Sequence, residues 1–503
     1  MSSDVTMAGA SQPQPTAQPQ LRIGQRIKVD YARGTVRFLG EVPPTKGEWI
    51  GVEWDDKERG KHSGEHSGTR YFNCLFPGTG SFTRPSPKIE TGATLLQVLS
   101  ERYVDKEKDE KDLYLGQSNV KVDVYDFERV KDRQKKLHLM EVVGLANTNV
   151  AYAGDYDETQ KACPAIKDLD LTATLVSAWQ DVAKICAPLT NLDILRARLL
   201  THKRLRKTQF ELLEPSMPNL QVLQIGFNML TELGKTNTDT PIASQKLKGL
   251  VHLEDLHLEG NLFSDWNQIL RLSHLPKLKS LDLSENKFES IIGPQDDNDF
   301  KTLESLRLTD NPLADWVSID QLGLYTTLRA VWVGDNPVPQ AQRNEHASSG
   351  FDPRTACIVR MPRVEQLNGS EITMKNSLDA ELYYIKHVAL STKGMDDAAI
   401  RALHPRFEEL CQEITLVSKD NIGGPVKASF KRNVLGTMTV KSLKNLAQKL
   451  LRVPSIRQEL MFQMNDPDYE NVKVDVHMTD DLRQISYYDV KDGEEILVLD
   501  KAK

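Results

Sequence analysis

Lys61 and Arg84 are cations set among glycines and aromatic residues, and that mixture can hold a carboxylate. Lys61 lies in the run Gly60-Lys61-His62-Ser63-Gly64, and Arg84 in Gly80-Ser81-Phe82-Thr83-Arg84-Pro85. Either cation can form charge-assisted hydrogen bonds to an acid. Gly60 and Gly64 lack a Cβ, so backbone amides can come close to the same ligand. Trp49 and Phe82 can wall a slot for the side chain beside the carboxylate. His62 and His66 are close in sequence, but no further ligand pattern joins them, and no metal is expected. A second group is Asp255, His257, Glu259, Asp282, Arg307 and Trp332, which alternate with leucines and valines. A large aromatic beside mixed charges suits protein recognition. Catalysis has no comparable footing. The chain holds no G-x-x-x-x-G-K-[ST] loop, no G-x-S-x-G and no H-E-x-x-H. No catalytic residue and no cofactor are expected, and the chain reads as a binding protein rather than an enzyme.

The first group must be positioned by residues 21–90. They hold 10 of the 29 glycines, between short β-rich runs such as Gln25–Val29, Gly34–Phe38 and Trp49–Trp54. Glycine turns between short strands point to a small β barrel. Its 12 Lys+Arg against 9 Asp+Glu give +3, so a chain of net charge −7 carries −10 elsewhere. A basic module on an acidic chain suggests an acidic ligand.

The second group must be positioned by a repeat. Leu253, Leu256, Leu258 and Asn261 are matched by Leu278, Leu281, Leu283 and Asn286. Then come Leu303, Leu306, Leu308 and Asn311, and Leu328, Val331, Val333 and Asn336, with the asparagines 25 apart throughout. This is L-x-x-L-x-L-x-x-N, the leucine-rich repeat, whose units bury their apolar faces only by stacking. The Asn should satisfy backbone groups where the chain turns out of each strand. The frame extends backwards through Leu220/Leu223/Ile225/Asn228, Leu192/Leu195/Leu200, Ile166/Leu169/Leu171 and Met140/Val143/Leu145, which makes eight repeats. The polar stretch Gly234–Ser244 should loop out. Trp266 and Trp316 each follow an Asn by five residues and read as packing on the convex side. Val364, Leu367, Asn368 and Gly369 resemble a closing cap.

The totals set bounds. A chain of 503 residues is too long for one core and should form about three domains. The net charge of −7 argues against nucleic acid as main partner. No apolar run reaches 18 residues, so no membrane span is expected, and the N-terminus lacks a secretory pattern. The cysteines Cys74, Cys163, Cys186, Cys357 and Cys411 are odd in number and scattered, which fits reduced thiols in the cytoplasm. Residues 1–20 should be a disordered tail and 91–136 a linker, helical over Thr94–Val104 and a solvated charge run over 105–112. Repeats and cap fill 137–374. A helical linker should follow over 375–412, with Leu378, Leu382, Ile385 and Ala389 on one face and a second amphipathic piece from Asp396 to Ile414. Over 413–503 the expected order is strands at Ile414–Val417 and Val426–Phe430, a helix over Thr439–Leu451, then strands at Leu460–Met464 and Ile496–Leu499. The chain ends without Gly-Gly, so that module should not be a conjugated modifier.

Residues 21–90 resemble the CAP-Gly domain. The resemblance rests on Gly47-Glu48-Trp49-Ile50-Gly51-Val52, Gly60-Lys61-His62-Ser63-Gly64, Gly68-Thr69-Arg70-Tyr71-Phe72 and Gly80–Pro85. The family motif is G-K-N-D-G, and His62 and Ser63 replace its Asn and Asp. Such domains bind acidic C-terminal tails, notably that of α-tubulin. This implies a tail site of Trp49, Gly60, Lys61, His62, Ser63, Gly64, Phe82 and Arg84. The last module resembles the ubiquitin-like fold. The expected architecture is multidomain: a small β CAP-Gly barrel, an α/β leucine-rich-repeat solenoid and an α+β ubiquitin-like (β-grasp) domain. That order is similar to the tubulin-folding cofactor E family. The resemblance implies a cytoplasmic, cytoskeleton-linked chaperone that holds α-tubulin and helps assemble or dissociate the α/β-tubulin heterodimer. Its implied partners are cofactors B, C and D and an Arl2-type small GTPase, with the proteasome as a contact of the ubiquitin-like domain. The rival reading is a microtubule-associated CAP-Gly scaffold or adaptor, which would need coiled-coil heptads or basic Ser/Pro linkers.

Overall fold

The computed structural model describes residues 21–104, 114–115, 120–121, 136–198, 207–208, 213–234, 239–241, 244–338, 352–420, 422–465, 473–491 and 493–501. The expected tail 1–20, the charge run 105–112, Leu200, the chain end at 502–503 and most of the polar insertion lie outside the described residues. Two compact units divide the chain at Asn286.

In the first unit, strands Arg26–Val29, Ala32–Val42, Thr45–Trp54, Gly80–Thr83 and Ile89–Glu90 form one antiparallel sheet of five strands. Alternation in Thr45–Trp54 turns Ile50, Val52 and Trp54 onto Ile27 and Val36. Arg26 is buried against this core and forms a two-pronged ion pair with Asp55. Glu53, equally buried, accepts from Arg37 and from the Leu75 amide. The segment leading out does not hang free. Ala93–Thr94 lies parallel to Val150–Tyr152, Arg33 donates to the Asn147 carbonyl, and Asn149 donates to Glu90. Leu95–Leu99 is a short helix with a Thr94/Gln97 capping box, continued by a π-helical turn over Ser100–Val104.

The repeats then add strands Val142–Gly144, Asp168–Asp170, Ile194–Arg196, Val222–Gln224, Asp255–His257 and Ser280–Asp282 to one parallel ladder. Their central residues Val143, Leu169, Leu195, Leu223, Leu256 and Leu281 are all buried. The asparagines close the turns. Asn261 donates to the Leu258 and Ile225 carbonyls and accepts from the Asn228 and Leu230 amides. The earlier repeats carry Thr148 and Thr174 instead, and each hydroxyl donates to the carbonyl three residues back. Trp266, just after its N-cap Asp265, opens a helix and is buried.

In the second unit, Ser305–Arg307, Ala330–Trp332 and Gln366–Leu367 run parallel, and Ser370–Glu371 turns back on the last. Asn336 donates to the Leu308 and Val333 carbonyls and accepts from the Asn311 amide. Trp316 opens a helix after its N-cap Asp315, under the Arg360 guanidinium at 5.1 Å. The following helix, Met374–Ser391, corrects the sequence reading. Leu378 and Leu382 face solvent, and the buried positions are Ala380, Glu381, Tyr384 and Val388. Glu381 is held inward by Thr437 at 3.2 Å and Arg406 at 4.0 Å, partners that apolar periodicity does not register. The expected helix to Ile414 also stops early: helices span Asp397–Leu403 and Phe407–Leu410, and a strand begins at Cys411.

The last module is a mixed sheet in the order Ala428–Leu435, Cys411–Lys419, Glu495–Asp500, Gln458–Asn465, Lys473–His477. The module's first and last strands, Cys411–Lys419 and Glu495–Asp500, pair in parallel, as in a β-grasp fold. The helix Val440–Leu451, capped by Thr439, packs Val440, Leu443 and Ala447 on Leu416, Leu460, Phe462, Ile496 and Val498.

Candidate functional site

Phe82 is the centre of the first site. Around its ring stand His62 at 5.0 Å, Phe72 at 5.4 Å, Tyr71 at 5.5 Å, Phe38 at 6.1 Å, and Trp49 and His66 at 6.4 Å. Edge-to-face contacts of this kind leave ring faces for a ligand's apolar group. Arg84 lies flat on Trp49 with its guanidinium carbon 3.9 Å from the ring centroid, and it donates to the Glu48 carbonyl. The loop carrying Lys61 is pinned beside them. The amides of Lys61 and His62 both donate to the Gly80 carbonyl, at 2.7 and 3.1 Å, and the Gly80 amide donates back to the His62 carbonyl. Lys61 itself is exposed and has no ion-pair partner among the described residues.

The two loop glycines have a reason different from the one expected. A Cβ on Gly60 would stand 1.9 Å from the Gly78 carbonyl oxygen, and one on Gly64, at φ +96°, 2.0 Å from that of Phe72. They allow strand and loop to approach each other rather than baring amides to a ligand. The Gly64 amide is already donated to His62 Nδ1 at 3.0 Å. Neutral His62 therefore carries its proton on Nε2. Burial, and then His66, push the His62 pKa down. Ser63 Oγ accepts from the Gly78 amide at 3.0 Å and so serves the loop.

Trp49, Lys61, His62, Phe82 and Arg84 thus come together, while Gly60, Ser63 and Gly64 shape their support. Sequence reading missed Phe38 and Tyr71. Phe38 follows a register shift between Val36 and Phe38, so plain alternation cannot assign its face.

The second group occupies the strand face of the repeats. Asp255, His257, Glu259, Asp282 and Trp332 are half-buried and Arg307 is exposed; His257, Asp282, Arg307 and Trp332 each lie between two buried Leu or Val residues. His257 stands across from Asp282 in the first unit, and Arg307 across from Trp332 in the second. The Arg307 guanidinium sits 4.1 Å from the Trp332 ring centroid.

Comparison with known proteins agrees with this geometry. The CAP-Gly domain family matches residues 23–87. Tubulin-specific chaperone E of Bos taurus is 29% identical over 531 aligned positions, covering 95% of this chain and 98% of that one. The chain is similar to the tubulin-specific chaperones E over nearly its whole length. Tubulin-folding cofactor E of Arabidopsis thaliana is also 29% identical, covering 88% of this chain and 92% of its own. A solution structure of the ubiquitin-like domain of mouse tubulin-specific chaperone e covers 18% of this chain and 89% of that domain, at 18% identity and TM-score 0.16. The matched residues include the Phe82 ring cluster and the loop that carries Lys61.

Proposed function

We propose that this chain is a tubulin-folding chaperone that binds α-tubulin at two places. The reading rests on the similarity to tubulin-specific chaperones E across 95% of the chain. The CAP-Gly cleft takes the acidic C-terminal tail: Lys61 and Arg84 meet its carboxylates, and the faces around Trp49 and Phe82 receive its last side chain. The strand face of the repeats, with Asp255, His257, Glu259, Asp282, Arg307 and Trp332, holds the folded body. The first contact makes the second intramolecular and raises its effective concentration. In this way the chain helps assemble or dissociate the α/β-tubulin heterodimer with cofactors B, C and D and an Arl2-type small GTPase. The ubiquitin-like module is a docking unit for the proteasome. The setting is cytoplasmic and linked to the cytoskeleton, and the role is binding rather than catalysis.

The test is co-purification of the full chain with soluble αβ-tubulin, beside subtilisin-clipped tubulin that has lost its acidic tails. Weaker but measurable binding to clipped tubulin supports two contacts. Equal binding to both removes the tail from the scheme, and binding to neither removes the chaperone reading.

A further inference from the structure

His257 and Asp282 close two adjacent strands, and Glu259, in the turn after the first, converges on them. Asp282 lies directly across from His257, and Glu259 stands in the turn two residues after His257. One donor atom from each lies within 4.8 Å of the other two. Glu259 fills the space of an absent side chain: a Cβ on Gly226 would stand 2.3 Å from its Oε1. Its Oε2 is enclosed and has no hydrogen-bond partner among the described residues, whereas buried carboxylate oxygens ordinarily have one. Burial first, and then the neighbouring charge of Asp282, push the Glu259 pKa up. Asp282 is held in place, its Oδ1 accepting from the Ser284 amide at 2.9 Å. The nearby cation, Arg198, is stacked on Phe227 at 3.6 Å and acts on Glu259 more weakly than Asp282 does.

We propose that His257, Glu259 and Asp282 bind one divalent transition-metal ion of the zinc class, with water completing the shell. An imidazole and two carboxylates suit such an ion without thiolate. Metal–ligand bonds of about 2.0–2.2 Å need the three donors only somewhat closer than they stand, a movement within side-chain rotation. The ion neutralises two carboxylates that otherwise repel each other and gives Glu259 Oε2 the partner it lacks. His257 and Asp282 end two neighbouring strands and Glu259 sits in the turn just after His257, so two of the three ligands are already fixed by the sheet. The site does not depend on the tubulin reading.

The experiment titrates the chelator-treated full chain with Zn²⁺ by calorimetry and with Co²⁺ by visible absorption. One equivalent should bind, with the d–d bands of nitrogen and oxygen ligands and no thiolate charge-transfer band. Glu259→Gln and Asp282→Asn should each weaken binding at least tenfold, while His138→Ala, at an exposed histidine outside both sites, leaves it unchanged. Both carboxylate variants should melt, metal-free, at or above the wild-type temperature, because each removes a repulsion. The absence of stoichiometric binding, a thiolate band, or full affinity in both carboxylate variants would overturn the assignment.

Discussion

At the scale of single residues, Lys61 has no ion-pair partner among the described residues. Lys61 is exposed on a loop that Gly80 holds through three backbone hydrogen bonds, so its removal should not disturb the fold. Lys61→Ala should weaken binding of an α-tubulin tail peptide by about 1.5–3 kcal/mol, the scale of a charge-assisted hydrogen bond. Fluorescence anisotropy with the full chain reads this directly, and unchanged affinity would move the acid site away from the loop. Buried ion pairs behave oppositely. Arg26 is almost fully buried and its partner is Asp55. Asp55→Ala should therefore destabilise the module by roughly 3–5 kcal/mol, because it strands a buried guanidinium. Chemical denaturation followed by Trp fluorescence would measure the loss.

At the scale of elements, the helices after the repeats carry a titratable contact. His404 follows the helix Asp397–Leu403 and stands 3.1 Å from the Tyr384 hydroxyl. Burial, then Arg360 and His387, lower its pKa from 6.5 to about 4. The unfolded chain thus binds a proton that the folded chain resists, so stability falls as pH drops from 6.5 toward about 4. The loss should approach about 2–3 kcal/mol, and thermal melts across that window should show it. His404→Gln should flatten the dependence; an unchanged pH profile would mean that other groups govern it. Elements also explain one misreading. Met374–Ser391 carries apolar residues on more than one face, and the face that is buried is the one holding Glu381 and Tyr384.

At the scale of the whole molecule, the proposed grip on a folded partner is tested at the repeats. Trp332 and Arg307 are stacked on a strand face outside the core, whose residues are Val331, Val333, Leu306 and Leu308. Trp332→Ala with Arg307→Glu should keep the melting temperature within a few degrees, yet weaken tubulin binding tenfold or more, about 1.4 kcal/mol. A collapsed melt would mean that the pair supports the fold, and unchanged binding would place the grip elsewhere. The first module is not an independent bead on a string. Arg33, Glu90 and Ala93–Thr94 tie it to the first repeat through Asn147, Asn149 and Val150–Tyr152.

The repeat was legible because its information is local. A leucine every few residues and an asparagine every 25 suffice to set strand face and turn, and the ladder of Asn261 and Asn336 repeats one set of bonds. The motif around Lys61 was legible for the same reason, since the loop's chemistry lies within five consecutive residues. Phe38 reaches Phe82 from a distant strand, past a register shift, and Tyr71 from the segment after Thr69–Arg70, so only the folded module assembles the ring cluster. The buried face of the helix Met374–Ser391 depends on Arg406 and Thr437, which chain folding brings to Glu381. Glu259 likewise reads as an ordinary surface acid until the neighbouring strands set it over Gly226 and beside Asp282. Periodicity fixes which residues leave the core, and tertiary packing decides which of them meet.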